Sequence, residues 1–246
     1  MLLNVDVKGL EVVVAAELSG DPILRQEIID KVDIHDANRK AFSLGDGKPG
    51  RLVAKIFKFR LIYGGSAYSY AHDPDFAGVD TKGFRRPELF WQGVIDRYYE
   101  KYQGIRKWHD QLLVEVKRNG YITIPSGRFY AFQPVLKRGD WDWPLTTIKN
   151  YPVQGFGADL VMLARIYAYR LLQESGLEFV MVGTVHDSIV VDCPSQNVQA
   201  IALLLKQAVE AVPRLCQESF GYAFSLPLTC EIQTGMNKLD MKELVW

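Results

Sequence analysis

The 246-residue sequence predicts an α+β fold with a helical subdomain inserted between strands. Three observations point there. The chain opens on a strand-like "LLNVDV", a second strand pattern stands late in the chain at about 179–194, and "LPLTCEIQTG" reads as a last strand. Between the first strand and the others lie long runs with apolar residues at three- and four-residue spacing, the helical period. The strands must therefore pair non-locally around a helical insert.

In order, "LLNVDVKGLEVVVAAEL" turns at Lys8-Gly9 from a strand into a short helix ended by "SGD". "DPILRQEIIDKVDIHDANRKAF" reads as helical with a break near Asp33, and "SLGDGKPG" as a turn-rich loop. A helix runs from Arg51 to about Tyr63, after which glycines and Pro74 break the pattern. "RPELFWQGVIDRYYEKYQGIRKWHDQLLVEVKRNG" gives long helices that stop at Asn119-Gly120. "YITIPSGRFYAF" is a hairpin signal, local turn bonding around Pro152 is the plainer reading of "NYPVQGFGAD", and "GADLVMLARIYAYRLLQESG" is a helix ending on Gly176. "VGTVHDSIVV" reads as two buried strands joined by a polar tip, and "SQNVQAIALLLKQAVEAVPRL" as one amphipathic helix.

Composition narrows the class. Forty-eight per cent hydrophobic and 24% charged residues are ordinary for a water-soluble globular chain. Twenty-nine basic against 29 acidic residues remove any argument from net charge for a nucleic-acid partner, although local patches can still bind one. Cys193, Cys216 and Cys230 are odd in number and widely spaced. That is neither a zinc pattern nor a disulfide framework, and it fits a reducing cytoplasm. The opening segment carries Asp6, Lys8 and Glu11, so neither a leader nor a membrane span is expected.

The residues with chemistry to offer are few. Asp187 interrupts two apolar runs, where burying a charge is costly unless it is paired or metal-bound. Asp6, at the end of the first strand, could face it. Two carboxylates brought to one sheet edge repel and raise each other's pKa unless a cation sits between them, and magnesium suits such a site. A solvated turn aspartate at each place explains the spacing equally well. Arg51, Lys55, Phe59 and Tyr63 stand four apart along one helix face. Two cations followed by two rings suit a ligand with a phosphate tail and a flat base and sugar. A basic stripe over two core rings is the plainer reading of the same spacing. His35 could reach a phosphate or merely cap a helix. Asn150 and Gln154 could read groove edges or bond locally.

Together these segments resemble family A DNA polymerases, the bacterial DNA polymerase I and phage replicase family. "DVKGLEVVVAAELSGD" is similar to the family's motif A, "RLVAKIFKFRLIYGG" to motif B and "VHDS" to motif C. "DIHDA", "YYEKYQGIRKWHDQLLVEVKRNGYITIPSGRFY" and "YPVQGFGAD" match intervening segments in order. The resemblance implies an antiparallel palm sheet that carries the catalytic carboxylates, with a helical fingers insert. Residues 1–20 and 136–246 would be palm, with the motif C hairpin at about 179–194. Residues 21–135 would be fingers, with the motif B helix at about 50–63. Thumb and exonuclease domains are expected to be absent.

The resemblance further implies template-directed DNA synthesis with two magnesium ions, manganese able to substitute. Asp6 and Asp187 would be the metal-binding aspartates and the Val7 carbonyl a further ligand. Arg51, Lys55 and His35 would hold the triphosphate, Lys55 also giving a proton to the leaving group. Phe59 would pack on the deoxyribose, and a Phe there implies discrimination against dideoxynucleotides. Glu11 would block the sugar's 2′ position with Tyr63 beside it. Asn150, Gln154 and His186 would probe the minor groove of the primer-template. The implied partners are primer-template DNA, dNTPs and a thumb-containing amino-terminal part or subunit, in the cytoplasm of a bacterial or phage-infected cell. The compact motifs suggest a phage source.

This sequence departs from the family pattern at three places. Ser188 stands where a Glu usually follows His-Asp, leaving two acidic candidates instead of three. Val13 stands where an Arg is common, and Arg60 where a Gly is usual. The competing reading is a catalytically weak remnant of a truncated polymerase.

Overall fold

The computed structural model describes residues 1–137 and 139–244. It begins with β1 (Leu2–Val7), α1 (Leu10–Ser19), α2 (Pro22–Ile29), α3 (Ile34–Phe42), α4 (Gly47–Ile62) and α5 (Ala67–Ala71). Next come α6 (Pro87–Lys101), α7 (Gln103–Asn119), the hairpin β2 (Tyr121–Thr123) with β3 (Phe129–Ala131), and the hairpin β4 (Val135–Lys137) with β5 (Asp140–Asp142). The chain closes with α8 (Leu145–Ser175), β6 (Val180–Val185), β7 (Ser188–Asp192), α9 (Val198–Glu210), α10 (Val212–Phe220), β8 (Cys230–Gly235) and β9 (Lys242–Glu243). Among the described residues no helix is long and apolar enough to cross a membrane. The chain divides into two compact units. One comprises residues 1–14, 124–128 and 154–246; the other comprises 15–123 and 129–153.

The first unit is built on a five-stranded antiparallel sheet in the order β6-β7-β1-β8-β9. Alternation along β1 sets its two faces, because successive strand side chains point to opposite sides. Leu3, Val5 and Val7 are buried, and α9 packs against β1 and β8 with Ile201, Ala202, Leu205 and Val209 inside. Leu2, Asn4 and Asp6, on the other face, are only half-buried. Asp6 thus stands at the end of an inner strand, on the less covered side.

The hairpin departs from the expected pair of buried strands. β7 is buried over Ser188–Val191, but no residue of β6 is, and Val180 and Val182 are 63% and 58% exposed. The reason is position: β7 lies between two strands, while β6 is the edge of the sheet. Periodicity within a strand cannot tell those two places apart.

The second unit is helical around an aromatic core. Phe57 of α4 touches the rings of Phe42, Tyr70, Trp91 and Tyr98, all buried. Burying rings of this size supplies the unit's main apolar stabilisation. Asp21, itself buried, closes two helix starts at once. Its Oδ1 accepts from the N–H groups of Ile23 and Leu24 at the head of α2, and its Oδ2 accepts from Gly104 N–H at the head of α7 (2.7 Å). Only glycine fits at 104, because a Cβ there would lie 2.5 Å from the Asp21 Cα.

Several boundaries differ from the sequence reading. α4 starts at Gly47, so the "GDGKPG" loop is largely its first turn. α5 forms inside the stretch read as broken, and the β4–β5 hairpin and β9 were not foreseen. The segment read as a turn, "NYPVQGFGAD", lies inside the 31-residue α8 despite Pro152. A proline inside a helix costs about 3 kcal/mol. Burial of the neighbouring Ile148, Val153 and Phe156 offsets that cost. The last amphipathic helix breaks into α9 and α10 at Ala211, just before Pro213.

His109 of α7 gives this fold a pH dependence. It is 3% exposed, its Nδ1 lies 3.1 Å from the Tyr99 hydroxyl, and its Nε2 has no partner. Burial, with the Lys149 charge acting in the same direction, pushes it down to about 3. The unfolded chain therefore takes up a proton below about pH 6.5 that the folded chain refuses. Stability is full above that pH and falls as the pH drops toward 3. Urea unfolding of wild type and His109→Gln at pH 7 and pH 4 checks this: the variant should lose roughly 2–3 kcal/mol less than wild type over that interval.

Candidate active site

The carboxylates come together through sheet register. Antiparallel pairing sets Asp6 opposite Ser188 of β7 and, on its other side, opposite Glu231 of β8. The β6–β7 turn is His186-Asp187, with His186 exposed and in the left-handed region (φ 54°). Val7 N–H donates to the Asp187 carbonyl (3.1 Å), which ties the turn to the end of β1. The Asp6 and Asp187 side chains then lie close enough to share a hydrogen bond. Burial first, then the charge of Asp187 and that hydrogen bond, then Glu231 and Glu11, push Asp6 up to about 6.

Such a pair suits a hard divalent cation. Its side-chain donors are oxygens, and two carboxylates in contact are destabilising until positive charge or a proton enters. Among the described residues no three carboxylate, imidazole or thiolate groups converge closely enough to hold one ion by themselves. An ion here would keep water or substrate oxygens, which is how magnesium is usually bound. Ser188 adds no donor, since its hydroxyl is turned to the Val185 carbonyl (2.8 Å). Glu231 escaped the sequence reading, because only strand register brings it beside Asp6.

In the second unit α4 presents its stripe to solvent. Arg51 and Lys55 are exposed, while Phe59 and the C-cap residue Tyr63 are half-buried. Lys55 Nζ lies 5.9 Å from the Phe59 ring centre, and the His35 ring lies 6.2 Å from the same ring. The structure thus gathers His35, Arg51, Lys55 and Phe59 within one unit. His35 carries no charge at neutral pH: burial, then the cations Lys58 and Arg51, push it down to about 4, and its Nδ1 is buried without a partner.

Asp33 is a second residue the sequence reading missed. Its Oδ1 caps α3 by accepting from His35 and Asp36 N–H, and its Oδ2 accepts from Arg51 Nε at 2.7 Å. Both partners are about half exposed, so the pair is weak and exchangeable. Arg60 is committed internally: it pairs with Asp73 and with Asp75 (2.6 Å) and covers the Phe76 ring. Asn150 and Gln154 both lie on α8, four residues apart. Asn150 is half-buried with an unpartnered Oδ1, and Gln154 is exposed.

Comparison with known proteins decides the family. The model of DNA polymerase family A matches residues 1–240. The chain belongs to that family. This family A chain is 28% identical over 251 aligned residues to the thermostable DNA polymerase I of Thermus aquaticus, covering 99% of the chain and 27% of that relative. DNA polymerase I of Chloroflexus aurantiacus is also 28% identical over 244 residues, with 97% and 24% covered. Among solved structures, the POL domain of Pol1 from M. smegmatis, in complex with DNA primer-template and dNTP, superposes with a TM-score of 0.77 at 18% identity. That match covers 95% of this chain and 39% of the other, and it shows a shared fold. The family A chain thus spans about a quarter of the length of these curated relatives.

The carboxylate contact makes a prediction that needs no substrate. An acid whose folded pKa is raised costs stability as the pH rises through about 3.8 to 6. Removing the neighbouring charge should recover part of that cost. With divalent cations chelated at pH 7.5, Asp187→Asn should be more stable than wild type by on the order of 1 kcal/mol after solvent screening, measured by urea unfolding.

Proposed function

We propose that this family A chain carries the catalytic chemistry of a template-directed DNA polymerase, adding dNTPs to a primer 3′-hydroxyl. The observation that carries the reading is the Asp6–Asp187 pair, held in contact by register on an inner strand and a hairpin turn. In this reading the first unit is the palm and the second the fingers. Asp6, Asp187 and the Val7 carbonyl would hold two magnesium ions, with manganese able to replace them. When bound, magnesium supplies Lewis-acid stabilisation of the attacking oxygen and the departing pyrophosphate.

The chain's own groups do the rest. Arg51 exchanges its weak pairing with Asp33 for the triphosphate, binding through a planar fork, while Lys55 binds as a point charge. Lys55, an exposed ammonium, gives its proton to the leaving pyrophosphate. His35, neutral in the free protein, donates a ring N–H to a phosphate oxygen. Phe59 packs on the deoxyribose, Glu11 and Tyr63 exclude a 2′-hydroxyl, and Asn150, Gln154 and His186 read minor-groove acceptors common to all base pairs. A thumb-containing polypeptide supplies most phosphate contacts and therefore most affinity for duplex.

Primer extension with magnesium and four dNTPs tests the reading, with the chain alone and with an amino-terminal polymerase fragment added. Extension in at least one setting that vanishes in Asp187→Asn is expected; no extension in either, by a folded chain, would refute it. Within an active enzyme, Phe59→Tyr should raise dideoxynucleotide incorporation at least about tenfold, the effect of a single well-placed hydroxyl contact of about 1.4 kcal/mol. Glu11→Ala should raise ribonucleotide incorporation, read by alkali-sensitive products.

A further inference from the structure

We infer that Glu231 takes the place of the acidic residue that Ser188 leaves unfilled: it is a positioning residue that acts on Asp6 and on metal-bound water from β8. This rests on the metal-dependent reading proposed above. The register carries it. Asp6 is paired directly with Ser188 on one side and with Glu231 on the other, so all three side chains leave the same face of the sheet. Residues directly opposite in an antiparallel pair have Cβ atoms about 4.5–5.5 Å apart. The site therefore has two lateral neighbours of Asp6 that could hold a third carboxylate.

Ser188 cannot serve as one. It is 6% exposed and its hydroxyl is spent on the Val185 carbonyl. Glu231 is free to serve. Its side chain is 37% exposed, and its ion pair with Lys8 is long (3.9 Å) and solvated. A pair of that kind contributes little to stability and does not fix the carboxylate. Lys8 gives Glu231 a modest counter-charge that a divalent ion would replace.

Glu231 does not act by direct ligation, because among the described residues no three acidic groups converge closely enough on one ion. It acts through water. Magnesium keeps several of its waters, and a carboxylate that accepts hydrogen bonds from them orients them and strengthens binding. Outer-shell partners of this kind are typically worth 10- to 100-fold in metal affinity. A glutamate so weakly paired beside two aspartates would otherwise mainly add repulsion.

The test is manganese binding to the purified full chain without DNA or nucleotide, followed by electron paramagnetic resonance of free Mn2+ and by calorimetry. Wild type should bind, Glu231→Gln should bind about tenfold more weakly, and Glu231→Asp should recover most of the loss. Glu178→Gln, an exposed glutamate elsewhere in the same unit, should match wild type. Circular dichroism melts establish that each variant is folded. Equal affinity in wild type and Glu231→Gln, with binding abolished by Asp187→Asn, would overturn the inference and leave the polymerase reading standing. A wild-type chain that binds no manganese and extends no primer would overturn both. If Glu231→Asp binds no better than Glu231→Gln, positioning by the carboxylate is excluded.

Discussion

Asp6 and Asp187 are pressed together by backbone pairing that neither side chain chooses. β1 lies between β7 and β8, its ladder fixes Asp6 beside Ser188, and the Val7 amide fastens the Asp187 carbonyl to the strand end. The apolar residues of β1 and β7 bury the sheet's other face and make a slip in register expensive, since a one-residue shift would turn Leu3, Val5 and Val7 outward. The hydrophobic core of the first unit is thus what holds two like charges in contact. The same constraint gives Asp6 its raised pKa and gives the site its appetite for a cation.

The second unit solves a different problem. Its aromatic core fixes α4 through Phe57, Leu61 and Ile62, which leaves the opposite stripe of Arg51 and Lys55 free to meet solvent or an anion. Electrostatics there are held in check by weak devices. Asp33 occupies Arg51, and burial keeps His35 neutral. An anionic ligand would displace Asp33 from Arg51 at small cost, because that pair is half solvated. Arg60, paired with both Asp73 and Asp75, fastens α4 to the turn at Pro74–Phe76.

Much of this was legible in the sequence, and the exceptions have physical causes. Helical spacing located the α4 stripe, and the ordered motifs identified the family. What the chain could not disclose locally was anything set by register or by neighbours. Glu231 lies far in sequence from Asp6 and becomes its neighbour only through β1–β8 pairing. Asp33 looked like a helix break; it is a cap that also takes Arg51. β6 and β7 share the same residue types, and only sheet order makes one an exposed edge. Pro152 suggested a turn, yet burial on either side of it carries α8 through.

The most direct measurement is anomalous diffraction from crystals of the chain soaked in manganese chloride with an unreactive dNTP analogue. An anomalous peak is expected between the carboxylates of Asp6 and Asp187, with Glu231 facing the ion's water ligands. Well-ordered Asp6 and Asp187 side chains with no peak between them, under conditions where the nucleotide is seen, would contradict it.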